Sequence, residues 1–269
     1  MASDLYLGYR NDDAKTPFGK FFKPEMASLP AHVVEALHHG PQGGMALLVF
    51  DDAASVADDG YQLTENGYGI LEDGSFGVSV RTDMPGVTPA MWAWWFGWHG
   101  CDTRRYKLWH PRAHLSAAWK DGDDAGRKGD QRYIGRRSMI SEYIGSTMLN
   151  AAIQFVAPAA MGCPPDSDDA VSICARLGFG DAPVDAGWFI HHIRSTRDGA
   201  EMRSRFWMGG PHIAVRNAPG VASRAVRPIA SRVLGTSEAT ARNLLVHCAQ
   251  EMSHLASFLP DLYAAFGDE

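Results

Sequence analysis

The segment from Ser237 to Pro260 limits the fold more than any other. It is rich in Ala, Leu, Glu, Gln and Met, with no Gly or Pro before its end. Such a composition forms a helix, here of about six turns. Ser237 or Thr236 supplies an N-cap, Glu238 suits the positive end of the helix dipole, and Pro260 limits extension. Leu244, Leu245, Cys248, Met252, Leu255 and Phe258 make a broad apolar stripe, so the helix needs a large hydrophobic partner. Beside the stripe, His247 and Glu251 stand four residues apart on one face, and His254 follows. This spacing can offer an imidazole and a carboxylate to one metal ion, and it is also the spacing of an ordinary surface pair. Ligands from elsewhere in the chain have to decide between the two.

A chain of 269 residues can bury a substantial core and hold an internal cavity. Its formal net charge of −6 argues against nucleic acid or an anionic membrane as the main partner. The basic cluster from Arg132 to Arg137 is short and flanked by acids. The first twenty residues lack an apolar core of signal-peptide length, and no run reaches membrane-spanning length. Cys101, Cys163, Cys174 and Cys248 show no C-x-x-C spacing and suit a reducing compartment as buried thiols. The expected location is the cytoplasm. A homodimer stays open as an assembly.

Along the chain, residues 1–44 read as an N-terminal extension or small subdomain, and residues 45–269 as the main domain. Ala46 to Phe50 is a short apolar run that suits a buried strand. Tyr68–Leu71 and Phe76–Arg81 flank a turn sequence and predict a hairpin. Thr88 to Gly100 is a punctuated helix with four tryptophans, fit either for core packing or for an aromatic wall beside a flat ligand. Tyr106, Leu108 and His110 alternate as on a strand, and Tyr133 to Ile144 resumes a strand pattern that Ala152 to Val156 can pair with. Pro158 to Pro183 reads as a loop or lid. Gly187–Thr196 and Glu201–Met208 form another hairpin, and Gly209 to Ser231 reads as loop. A β-rich middle followed by one long helix argues for an α+β fold with an antiparallel sheet.

Histidines gather in the β-rich part: His99, His110, His114, His191 and His192. Glu142 lies between Ile140 and Ile144 in a segment suited to burial, where an unpaired carboxylate is costly. Together Tyr106-Lys-Leu-Trp-His-Pro-Arg-Ala-His114, the aromatic helix ending at His99, Ser141-Glu-Tyr143 and His247-Cys-Ala-Gln-Glu251 resemble the 2,4-diacetylphloroglucinol and phloretin hydrolase family. The resemblance spans roughly residues 45–260 and implies a Bet v 1-like (START-like) helix-grip fold, a curved antiparallel sheet around a long C-terminal helix with a ligand cavity between. It also implies a zinc ion held by His114, Glu142, His247 and Glu251, with His110 the competitor for the first position. Tyr106 and His191 are the implied catalytic residues, and Trp95, His99 and Phe206 the substrate contacts. Ala117 and Phe206 replace groups that hold ring hydroxyls in the family, so the implied substrate is a less hydroxylated, more apolar acyl ketone or β-diketone. The implied reaction hydrolyses a carbon–carbon bond to a carboxylic acid and a deacylated product. Two other functions fit a helix-over-sheet cavity with such residues: a metal-free carrier of an apolar ligand, and a non-haem iron enzyme.

Overall fold

Glycine turns cut the chain into antiparallel strands in the computed structural model, which describes residues 8–122, 126–235 and 237–269. Helix α1 (Ala31–His39) precedes the hairpin of β1 (Gly67–Ile70) and β2 (Ser75–Pro85), whose turn closes at Gly74 with a φ of +81°. Helix α2 (Pro89–Trp98) starts where the Thr88 hydroxyl accepts from the Met91 amide at 3.4 Å. Its Trp92, Trp95 and Trp98 are fully buried, so the aromatic segment is core.

Helix α3 (Thr103–Trp109) occupies residues expected to form a strand. The Asp102 carboxylate caps it by accepting from the Arg104 amide at 2.8 Å. Its buried residues, Tyr106, Leu108 and Trp109, mix two- and three-residue spacings, and a run this short fits either period. The strands that follow are β3 (His114–Trp119), β4 (Arg137–Ile144), β5 (Thr147–Val156), β6 (Ala170–Phe179), β7 (Val184–Thr196), β8 (Gly199–Gly209) and β9 (Ala214–Val215). They end in helices α4 (Gly220–Leu234), α5 (Glu238–Ala256) and α6 (Leu259–Phe266).

Three further expectations are corrected. Ala46 to Phe50 does not form a strand: the chain runs through 3-10 turns at Gly44–Ala46 and Phe50–Ala57, with Leu47 buried in a cluster with Trp207. The Trp207 indole donates to the Leu48 carbonyl at 2.7 Å, so that backbone is satisfied by a side chain instead of a strand. Pro158 to Pro183 is not all loop, because it contains β6, whose small apolar residues hide between Pro- and Asp-rich flanks. Gly209 to Ser231 is not all loop either. Helix α4 begins at Gly220 and tolerates Pro228 inside it.

Every strand pairing is antiparallel, in the order β1-β2-β8-β7-β6-β5-β4-β3, with β9 beside β7. Helix α5 packs across β2 and β1, the helix-grip arrangement the sequence implied. It starts at Ser237, whose hydroxyl accepts from the Thr240 amide at 3.2 Å, while Thr236 lies outside the described residues. Leu245, Cys248, Met252 and Leu255 are fully buried against the sheet, and Pro260 opens α6. Tyr9, Phe18 and Val33 belong to the same main core.

Candidate metal centre

Strand β4 presents Ser138, Ile140, Glu142 and Ile144 to one cavity, the two-residue period of a pleated strand. Glu142 faces His114 directly across the β3–β4 ladder. A register shift between His114 and Ser116 marks a bulge beside this pair, the device that re-aims a side chain at a strand end. Helix α5 brings His247 and Glu251 from the opposite wall, one turn apart.

The four side chains converge. His114 Nε2 lies 3.4 Å from an oxygen of Glu142 and 3.4 Å from one of Glu251. His247 Nε2 lies 3.7 Å from each of the same two oxygens. The ligand atoms of His114, Glu142 and His247 fall within 4.8 Å of one another. His114 Nδ1 is 2.9 Å from the Tyr106 carbonyl, so that nitrogen carries the proton and Nε2 turns its lone pair to the centre. The Tyr106 ring stacks flat on the His114 ring at 3.8 Å, and its hydroxyl donates to Glu142 at 2.5 Å.

Electrostatics set this cluster apart. Burial pushes Glu142 up to about 7, partly offset by the Tyr106 hydrogen bond. Burial and then the Glu142 charge push Glu251 well above the carboxylate range. Burial, joined by repulsion from neighbouring histidines, holds His114 and His247 well below the ordinary imidazole value. Two carboxylates and two neutral imidazoles are thus buried without a Lys or Arg among the residues lining the cavity. His114 Nε2 is buried with no hydrogen-bond partner. An orphaned imidazole nitrogen aimed at two carboxylate oxygens suits a divalent cation.

The cavity beside the cluster has a volume near 300 Å³. Tyr106, His99, His191 and Phe206 line it. Trp95 does not: it stands behind His99, with ring centroids 5.3 Å apart. Ala117 is buried but also outside the lining. His110 packs its ring on that of His247 at 4.9 Å and lies on the far side of that residue. His191 is pushed down to about 3 by burial, and its Nδ1 is 2.7 Å from the Ser204 hydroxyl.

A family model described as the DAPG hydrolase PhiG domain matches residues 47–264. The chain belongs to the DAPG hydrolase family. It is 31% identical to a 2,4-diacetylphloroglucinol hydrolase of Pseudomonas protegens, over 98% of this chain and 89% of that one. It is 28% identical to a phloretin hydrolase of Eubacterium ramulus, over 96% and 93% of the two chains. Solved structures it resembles include Ara h 8.0201 (TM-score 0.35, 9% identity, 64% of this chain and 99% of that one). A hypothetical protein from Helicobacter pylori gives a TM-score of 0.37 at 9% identity, over 68% and 85%. No helix among the described residues is long and apolar enough to cross a membrane.

Sequence reasoning missed two groups around the centre of this DAPG hydrolase family member. Ser204 belongs to a strand it read correctly, but its link to His191 is cross-strand: the two are register partners of β8 and β7. Asn243 lines the cavity one turn before His247, a helical spacing that could have flagged it.

Proposed function

We propose that this protein is a zinc-dependent hydrolase that cleaves the carbon–carbon bond between an acyl group and an activated carbon in an apolar acyl ketone or β-diketone. The single observation that carries the reading is the buried, unpartnered Nε2 of His114, 3.4 Å from oxygens of both Glu142 and Glu251. A carrier of apolar ligands has no use for two buried carboxylates, which cost several kcal/mol each when uncompensated. The names of the relatives, a diacetylphloroglucinol hydrolase and a phloretin hydrolase, support the reaction class.

His114, Glu142, His247 and Glu251 would hold the ion; when bound, it polarises a ketone carbonyl and acidifies water. The remaining work falls to the chain. Tyr106 donates its hydroxyl proton to Glu142 in a hydrogen bond. Burial and the Glu142 charge keep the Tyr106 hydroxyl protonated, so it is a donor. The Glu142 carboxylate accepts the proton lost by the attacking water, and Tyr106 Oη delivers one to the departing carbon. His191 is neutral, and Ser204 fixes its ring against the cavity. The rest of the lining is dominated by Ile140, Ile153, Leu177, Phe189, Phe206 and Met208, which favours an apolar acyl ketone and excludes bulk water. The four cysteines are free thiols, which supports placing the enzyme in the cytoplasm.

Purified protein should carry close to one zinc per chain and hydrolyse cyclic 1,3-diketones or acylphloroglucinols. Protein that takes up no divalent metal at micromolar concentration, and turns over neither class, would overturn the proposal. Iron-dependent oxygen uptake would instead favour an oxygenase built on the same donors.

A further inference from the structure

A second pocket of about 530 Å³ opens on the other side of His247. His110, Arg112, Tyr143, Arg242 and Gln250 line it, and Asn243 and His247 are shared with the main cavity. The two spaces are opposite in charge. The main cavity is lined by Glu142 and Glu251 with no Lys or Arg, and the second pocket by Arg112 and Arg242 with no Asp or Glu. Arg242 makes no ion pair or hydrogen bond among the described residues. Arg112 pairs with Glu25 at 3.1 Å, but both side chains are exposed, and such pairs hold weakly. His110, itself buried, has an Nδ1 without a partner. The wall between the spaces is thin: His110 stacks on His247, and Asn243 rests on Gly145, where a Cβ would come within 2.5 Å of its amide nitrogen.

We propose that this second pocket is a carboxylate-binding site that receives the acid product; the product assignment rests on the hydrolase reading above. In that reaction the hydroxyl of water joins the acyl carbon, the bond from acyl to departing carbon breaks, and a proton goes to the departing carbon. The carboxylic acid then loses its own proton. A fresh carboxylate beside Glu142 and Glu251 is disfavoured there, because those two carboxylates already balance the charge of a divalent ion and the lining adds no Lys or Arg. Two arginines line the pocket across the His247–Asn243 wall, and guanidinium suits a planar carboxylate.

Binding of ¹³C-acetate, 3-phenylpropanoate and inorganic phosphate to the zinc-loaded full chain, followed by NMR line broadening, tests this. Wild type should bind both carboxylates in the millimolar range and phosphate less tightly. The double variant Arg112→Ala/Arg242→Ala should keep its zinc and its thermal unfolding, and bind acetate about tenfold more weakly. Glu251→Gln, which forfeits the metal but leaves the arginines, should bind acetate as wild type does, separating this site from binding on zinc. Equal acetate affinity in wild type and the double variant overturns the proposal, and so does phosphate binding as tight as acetate. Acetate held by the arginines in a protein that hydrolyses no acyl ketone would remove the hydrolase reading and its product role while leaving the carboxylate site.

Discussion

Two buried carboxylate clusters lie on opposite faces of the same sheet and behave in opposite ways. On the outer face, Glu65 accepts from Arg203 Nη2 at 2.7 Å and from Arg205 Nη2 at 2.5 Å. On the inner face, the polar partners of Glu142 and Glu251 among the described residues are His114, His247 and the Tyr106 hydroxyl. Side-chain exposure is similar: 10% for Glu65, 14% for Glu142 and 10% for Glu251. Burial alone would raise Glu65, but the two guanidinium groups outweigh it and hold the carboxyl down at about 2. Glu142, lacking such a partner, is pushed up to about 7. Strand β8 serves both faces: Arg203 and Arg205 point out to Glu65, while Phe206 and Met208 line the cavity. One cluster carries its own counter-charge and is complete as folded. The other has no Lys or Arg beside it, and in the proposed reading a divalent cation would supply the missing charge.

Crossed variants test this contrast most severely. Glu251→Gln should lower activity by about 10³-fold or more, the scale of losing one member of a catalytic unit. The metal-free protein should be no less stable for it, because the buried Glu251 carboxyl has no Lys or Arg partner to lose. Glu65→Gln should lower stability by about 3 kcal/mol, since it strands two buried arginines, yet leave activity per folded molecule unchanged. Zinc at a hundredfold excess over its Kd should stabilise Glu65→Gln by about 2.7 kcal/mol and Glu251→Gln hardly at all. Thermal unfolding with and without zinc, together with activity assays, reads all of this, and a reversed pattern would show that the clusters had been assigned the wrong way round. Next in size, Tyr106→Phe should retain zinc and lower kcat by about 10²-fold, the usual weight of a positioned proton donor. Loss of zinc in that variant would make Tyr106 a support for His114 and no more.

Stability against pH sharpens the same contrast. Glu65 is depressed in the fold, so its contribution is present above the ordinary value of 4.5 and is lost as pH falls toward 2. Glu142 is raised, so in metal-free protein it weighs against folding increasingly as pH climbs from 4.5 through 7. The buried histidines also make stability depend on pH, and their share cancels only when variants are compared at each pH. Glu142→Gln should therefore gain stability over wild type as pH rises through that window, and Glu65→Gln should lose its deficit as pH falls below 4.5. Parallel curves for wild type and Glu142→Gln would remove the argument that this carboxylate lacks a partner.

The hairpins, α2 and α5 were legible because turn glycines, caps and periodicity are local signals. The inner cluster was legible for a different reason: a His-x-x-x-Glu on a helix and a carboxylate within an apolar strand are conspicuous against their neighbours. The outer cluster was not, because Glu65 and Arg203 are 138 residues apart and neither looks unusual in its own segment. Helix α4 was missed because Val221, Ile229 and Val233 face solvent, so its apolar period does not report burial, and Gly220 and Pro228 disguise it further. The charge contrast between the two pockets could not be read either, since it depends on α5 and the β4–β5 turn meeting around Asn243.

The smallest effect expected concerns Phe206, on the inner face of the strand that carries the arginines. Its ring lines the cavity, with its centroid 5.6 Å from that of His191 and 5.8 Å from that of Phe189. Phe206→Tyr adds one hydroxyl to an apolar wall. An unpaired buried hydroxyl costs stability, on the order of 1–3 kcal/mol, unless a ligand satisfies it. Turnover of apolar β-diketones should therefore fall modestly, by less than about tenfold, while acylphloroglucinols gain by a similar factor because their ring hydroxyls can pair with the new group. Competition between the two substrate classes in one reaction measures that ratio directly. An unchanged ratio would mean that selectivity is set elsewhere in the lining, with Ser138 and Asn150 the next polar groups to examine.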